Sequence, residues 1–181
     1  MSVRLDRKNT AVLVVDIQER LCAAMSEPRL SRLVNRSVAL IQGARALDLP
    51  IVCTEQYPKG IGPTLEPVRA VLEGAPVFEK LKFSSVLPEV ESAFSGRKQI
   101  LIVGMETHVC VFQTVRDLQE QGYVPWVCRD AVMSRDEEDR LAGLDMIKAA
   151  GAYVTSVESA LFDMLHVAGT PEFKAVSKAV K

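Results

Sequence analysis

Residues 99–110 read QILIVGMETHVC. The run Gln99–Val103 is too short for a globular helix, is almost wholly apolar and stops at Gly104, which is the pattern of a strand buried on both faces. Beyond the turn, Val109, Phe112, Val115 and Leu118 recur at helical spacing up to Gln121, and Gly122 is placed to end that helix. Strand, tight turn and helix make half of a βαβ unit, and the rest of the chain repeats the unit in both directions.

Upstream, Ala11–Val15 (AVLVV) reads as a buried strand that delivers Asp16 at its end, and Pro28–Leu47 as a helix. Ile51–Thr54 is a second strand. Glu55–Pro63 (EQYPKGIGP) carries two glycines and two prolines and reads as a loop. Glu66–Leu72 and Pro88–Phe94 are short helices, with a strand at Val77–Phe78 running into Glu79 and Lys80. Downstream, strands at Tyr123–Cys128 and Tyr153–Val157 enclose a helix at Glu137–Ala150, and two helices follow at Ser159–Leu165 and Pro171–Val180. Apolar strands alternating with amphipathic helices predict one α/β domain over residues 1–181. Its mainly parallel six-stranded sheet lies between two helical layers, in a three-layer α/β/α arrangement.

The 181 residues suffice for one domain with a sizeable core, and 48% hydrophobic with 25% charged residues is a globular balance. A net charge of −1 without a basic tract argues against nucleic acid or an acidic membrane as the main partner. MSVRLDRKNT lacks a signal-peptide core, and Ala11–Val15 is too short to span a bilayer, so a cytoplasmic protein is expected. Cys22, Cys53, Cys110 and Cys128 form no CxxC pair, and His108 and His166 lie apart from any ligand cluster. No phosphate-binding glycine loop is present. No metal and no cofactor is therefore expected.

In an open parallel sheet, ligands bind beyond the carboxyl ends of the strands. That rule selects Asp16, Lys80 and the Gly104–Cys110 turn, an acid, a base and a thiol on one sheet edge. Cys110 in the first turn of its helix meets unpaired amides and the positive end of the helix dipole, and Lys80 is expected to lower its pKa further. Asp16 is placed to take the thiol proton and return it to a leaving amine. On chemistry alone Lys82 competes with Lys80, and each residue also has a plain reading as core cysteine, turn aspartate or surface lysine.

DIQERL at Asp16, EKLKFSSV around Lys80 and GMETHVCV around Cys110 resemble the isochorismatase-like cysteine hydrolases, whose pattern is an aspartate after the first strand, K-x-x-[FY]-S and G-x-x-T-x-x-C. TEQYPKGIGPT, ETHVCV and SRDEEDRLAGLDMIKAAGA are similar to the isochorismatase domain-containing subgroup, generally described as hydrolases of undefined substrate. The resemblance implies the isochorismatase-like hydrolase fold and selects Lys80, with Phe83 and Ser84 completing its segment. It also implies a cis Met105–Glu106 bond that aims the Glu106 and Cys110 amides into the site as an oxyanion hole. Gln18, Gln56 and Phe83 are the expected substrate contacts.

The chain departs from metal-dependent nicotinamidases of the superfamily, because CTEQYPKG near the second strand holds no histidine. Isochorismatases proper cleave a vinyl ether by acid catalysis and do not need a thiol. Cys110 instead implies hydrolysis of a small amide or carboxamide through a thioester. Two alternatives stay open: vinyl-ether hydrolysis, and a non-enzymatic or redox-sensitive interaction module keeping the fold. His108 is read as structural, Cys22, Cys53 and Cys128 as core. The apolar residues Val109, Val111, Phe112, Val115 and Val124–Trp126 suggest a homo-oligomer.

Overall fold

A computed structural model describes residues 3–181. Six parallel strands form one sheet among the described residues: β1 (Thr10–Val15), β2 (Ile51–Gln56), β3 (Val77–Lys80), β4 (Gln99–Met105), β5 (Val124–Met133) and β6 (Tyr153–Thr155). Their order is β3-β2-β1-β4-β5-β6. The chain thus winds outward one way from β1, returns to the centre, and winds the other way from β4. The crevice where the direction reverses lies between β1 and β4, so Asp16 and the turn before Cys110 flank the point where such sheets bind ligands.

The helices are α1 (Glu19–Cys22), α2 (Arg29–Ala46), α3 (Pro58–Ile61), α4 (Glu66–Val71), α5 (Pro88–Ala93), α6 (Phe112–Glu120), α7 (Glu137–Ala149), α8 (Val157–Leu165) and α9 (Pro171–Ala179). Every residue of β1 and β4 is buried, as their apolar composition requires. Val12 and Val14 face a core built with α2, α4, α8 and α9, where Leu40, Ile41, Val68, Leu161 and Val176 pack. Ala11, Leu13 and Val15 face the other core, with Val90 of α5, Val115 and Leu118 of α6, and Leu144 and Ile147 of α7.

Several boundaries differ from the sequence reading. Gly104 does not end β4, which runs on to Met105. β5 continues past Cys128 through the charged pair Arg129–Asp130 to Met133, because a register shift near Ile102 lets pairing resume at Gly104 with Val132 and Met105 with Met133. Alternation of apolar residues gives no warning of such a bulge. The Glu55–Pro63 loop contributes its first two residues to β2 and folds Pro58–Ile61 into the short α3, with proline in the first turn. The predicted helix from Val109 begins instead as a π-helical turn, Thr107–Val111, closed by Val111 N–H to Glu106 C=O at 3.1 Å. Val111, Val115, Pro125 and Trp126, read as surplus apolar surface, are buried within the chain itself.

Two glycines bring backbones together at the site. At Gly104, with φ of 127°, a Cβ would sit 1.9 Å from the Val15 carbonyl oxygen, so the strands can approach only if that residue has no side chain. At Gly143 of α7 a Cβ would lie 2.8 Å from His108 N, so α7 supports the nucleophile turn by direct backbone contact. Gly104→Ala is expected to destabilise the domain by about 3 kcal/mol or more, since both the conformation and the space are denied. Urea unfolding of the purified variant measures this, and a change below about 1 kcal/mol would show that β1 and β4 can move apart.

Candidate active site

β1 ends at Asp16, which turns the chain with a φ of 50° and donates its amide to the Thr54 carbonyl at 3.1 Å. Asp16 and Lys80 side chains are fully enclosed, and Lys80 Nζ donates to Asp16 Oδ2 at 2.6 Å. The other protons of Lys80 reach Gln56 Oε1 at 2.9 Å and the Phe83 carbonyl at 2.8 Å, so its ammonium is saturated. Lys82 is exposed and turns to the Val86 carbonyl, which leaves Lys80 as the lysine of the cluster.

Cys110 lies in the π-helical turn after β4 and is 7% exposed, the least enclosed of the three residues. Asp16 and Lys80 lie close enough to act on its thiol electrostatically, and the Glu106 backbone favours the thiolate. The Met105–Glu106 peptide is cis. The Glu106 side chain faces elsewhere, accepting from the Arg135 amide and Nε, each at 3.1 Å.

A buried chain of three hydroxyl residues, with the Ser85 backbone amide as one link, joins Asp16 to the Cys110 turn. Thr54 Oγ1 donates to Asp16 Oδ1 at 3.0 Å and contacts Ser85 Oγ at 2.9 Å. The Ser85 amide donates to Thr114 Oγ1 at 2.9 Å, and that hydroxyl donates to the Cys110 carbonyl at 2.6 Å. Sequence reasoning missed Thr54, Ser85 and Thr114. Only Thr114 left a trace, since four residues after Cys110 on a helix it can back-bond to that carbonyl.

Electrostatics correct one expectation. Burial raises the pKa of Asp16 against the opposing effects of Lys80, Cys110 and Thr54. Burial, then the Asp16 charge, push the Cys110 thiol up to about 12, and the nearby Lys80 charge offsets only part of this. The thiol is therefore not held ionised by Lys80 and the helix start. Desolvation penalises the thiolate more than one ammonium favours it, because that ammonium is already spent on Asp16.

Gln18 is also corrected. Its amide N–H groups reach the Gln56 carbonyl at 3.0 Å and the Gly62 carbonyl at 2.6 Å, and its oxygen accepts from the Gln56 amide at 2.7 Å. With its amide bonded to backbone and its side chain buried, Gln18 clamps the Gln56–Gly62 loop. Gln56 holds Lys80 with its oxygen and the Leu81 carbonyl with its nitrogen at 2.8 Å, which makes it a support of the lysine. Phe83 meets Lys80 through its carbonyl, and its side chain is 53% exposed. His108 contacts Ser134 Oγ at 3.0 Å and lies 3.7 Å from Asp139, bracing the turn. Among the described residues, no three His, Cys, Asp or Glu side chains gather as metal ligands, and no helix is long and apolar enough to cross a membrane.

Comparison with known proteins places this geometry in a family. Residues 10–159 match the Isochorismatase domain. The chain is 40% identical to the secreted isochorismatase effector Isc1 of Phytophthora sojae, across 98% of this chain and 87% of that protein. It is 37% identical to isochorismatase domain-containing protein 1 of Salmo salar, across 95% of this chain and 61% of that longer protein. Among solved structures, the MAR1 ribonuclease of Caenorhabditis elegans superposes with a TM-score of 0.93 at 36% identity, covering 98% of this chain and 92% of that one. YcaC of Pseudomonas aeruginosa, solved with hexane-2,5-diol and covalent acrylamide, superposes with a TM-score of 0.89 at 25% identity, covering 99% and 92%. By domain match, identity and fold, the chain belongs to the isochorismatase family of hydrolases.

Proposed function

We propose that the protein is a metal-independent cysteine hydrolase that cleaves a small amide or carboxamide through a thioester on Cys110. The observation that carries this reading is the enclosed cluster in which a carboxylate bonded to an ammonium lies beside a thiol. Such a cluster can exchange one proton between sulfur and oxygen without changing its total charge.

The steps follow from that exchange. As the Cys110 sulfur attacks the carbonyl carbon, its proton passes to Asp16. In this scheme the oxygen gathers negative charge and the Glu106 and Cys110 amides stabilise it. Asp16 then returns the proton to the amide nitrogen, the C–N bond breaks, and an amine or ammonia leaves. Water attacks the thioester, losing a proton to Asp16. The C–S bond breaks, the acid product forms, and the thiolate recovers the proton. Lys80 binds no substrate in this scheme. It keeps Asp16 in place and offsets negative charge while the thiolate exists.

Tyr57 and Phe83, whose backbones hydrogen-bond Lys80 and whose side chains are exposed, and the exposed Leu81 are the proposed contacts for the substrate's carbon skeleton. The covalent acrylamide of YcaC fits a reactive nucleophile in that protein, since thiols add to the alkene carbon of acrylamide, but it leaves the amide bond untouched and bears on nucleophilicity alone. The ribonuclease named among the neighbours suggests a different substrate, but the cluster offers a phosphodiester no free cation, because Lys80 is saturated.

Three outcomes follow. Cys110→Ser should lower turnover across a panel of small carboxamides by about a thousandfold or more, given a hydroxyl too weakly acidic to attack. Full activity of Cys110→Ala on a vinyl ether such as isochorismate would replace amide hydrolysis with acid catalysis. Asp16→Asn removes the charge that raises the thiol pKa, so iodoacetamide should label Cys110 faster at pH 7, by about tenfold for each unit the pKa falls. Hydrolysis should be lost in the same variant. Labelling that slows would show Asp16 promoting the resting thiolate. Lys80→Met should slow the labelling and Lys82→Met should not, each variant being checked for native circular dichroism; the reverse pattern would assign the role to Lys82.

A further inference from the structure

A second concavity lies at the carboxyl edge of the sheet, beyond β5, and shares no residue with the Asp16–Lys80–Cys110 cluster. Its volume is about 520 Å³, enough for a small metabolite. Five arginines line it: Arg29, Arg32 and Arg36 from α2, Arg129 from β5 and Arg140 from α7. The carboxylates in the wall are Asp130, Glu137 and Glu158, which leaves an excess of two positive charges in a chain whose net charge is −1.

The pairing inside the cleft is uneven. Glu137 takes both Arg29, at 2.5 Å, and Arg140, at 2.6 Å, and these neighbours hold its carboxyl down at about 2. Arg36 lies 3.7 Å from Asp130, whose other oxygen already accepts the Val157 amide. These contacts tie α2 to α7 and β5, so the walls are preformed. Arg32 and Arg129 are exposed and form no ion pair among the described residues. Glu158 is exposed and likewise forms none.

The spacing sharpens the point. Arg29, Arg32 and Arg36 stand three and four residues apart, so they share one stripe of α2. Like charges at that spacing repel, and only the outer two have carboxylates opposite. The middle guanidinium is left facing a cleft whose far wall carries a second unpaired one. Guanidinium forks match the planar or tetrahedral oxygens of carboxylates and phosphates. The floor beneath is apolar, formed by Leu33, Val132 and Met133, which suits the carbon skeleton of a metabolite.

We propose that this cleft binds a small oxyanion of two or more negative charges, a phosphate ester or a polycarboxylate, clamped between Arg32 and Arg129. The proposal is independent of the reaction assigned to Cys110. Its floor residues Val132 and Met133 pair with Gly104 and Met105 at the end of β4, so the bound anion lies one strand from the nucleophile turn.

Calorimetric titration of the intact protein with pyrophosphate and with citrate at low ionic strength tests the proposal. At least one should bind saturably, and the preferred probe identifies the phosphate or the carboxylate source. Arg32→Ala/Arg129→Ala, which breaks no ion pair, should weaken that binding at least tenfold, whereas Arg116→Ala on α6 should not. The proposal fails if neither probe binds saturably or if the double variant binds as well as the parent. It also fails if a short RNA binds more tightly than both probes and loses that binding in the same variant, since the cleft would then be part of a nucleic-acid groove. A change in the variant's oligomeric mass without any anion would make the cleft an interface between copies and likewise overturn it.

Discussion

The ion pair between Lys80 and Asp16 organises the site. Burying two charges costs several kcal/mol per ion in desolvation, which attraction between the partners repays only when their remaining hydrogen-bonding capacity is also met. Here it is met from three strand ends. Asp16 closes β1 and takes the Thr54 hydroxyl from β2, while Lys80 closes β3 and donates to Gln56 of β2 and to the Phe83 carbonyl. The pair thus demands that β1, β2 and β3 end at a common level, which the parallel register supplies. Gln18 meets a related demand by fastening the loop after β2 with its whole amide, so that Gln56 stays where the lysine needs it.

The Cys110 turn is held to this frame from the other side of the switch point. Gly104 lets β4 approach β1 without a side chain between them, and Gly143 lets α7 touch the turn backbone at His108. The Thr54–Ser85–Thr114 chain then joins the acid to the carbonyl of Cys110 through buried hydroxyls. A π-helical turn carries one more residue per hydrogen-bonded ring than an α-helix, so it can place the sulfur differently from an α-helical start. The result is a thiol fixed by contacts from β1, β2, α6 and α7, with limited exposure on one side.

Much of this frame is legible in the sequence. Short apolar runs alternating with helical periodicity gave all six strands, and strand-end reasoning with the K-x-x-F-S and G-x-x-T-x-x-C segments selected Asp16, Lys80 and Cys110. The continuation of β5 was hidden because Arg129 and Asp130 break its apolar pattern, and the bulge that accommodates them depends on β4. Thr54, Ser85 and Thr114 were hidden because their meaning is tertiary: each is an ordinary polar residue until the fold brings them into line. The role of Gln18 was misjudged for the same reason, since the amide that clamps a loop and the amide that binds a ligand look alike in sequence. The thiol pKa was misjudged because proximity to a lysine is legible from motifs whereas the degree of enclosure is not.

The enclosure of the thiol bears on how such a site can work. An isolated thiolate in this enclosure would be penalised by desolvation, and the Asp16 charge adds to the penalty. Yet the same enclosure raises the pKa of Asp16, so the carboxylate is also a stronger base than an exposed one. The two shifts have the same sign and the same first cause, and a proton moving from sulfur to carboxylate trades one buried anion for another next to an unchanged ammonium. The cluster keeps its net charge, so most of the desolvation cost cancels between the two states. A low standing thiol pKa is then unnecessary. Burial raises both pKa values and Lys80 lowers both, so the enclosure and the lysine act on the acid and the thiol in the same direction.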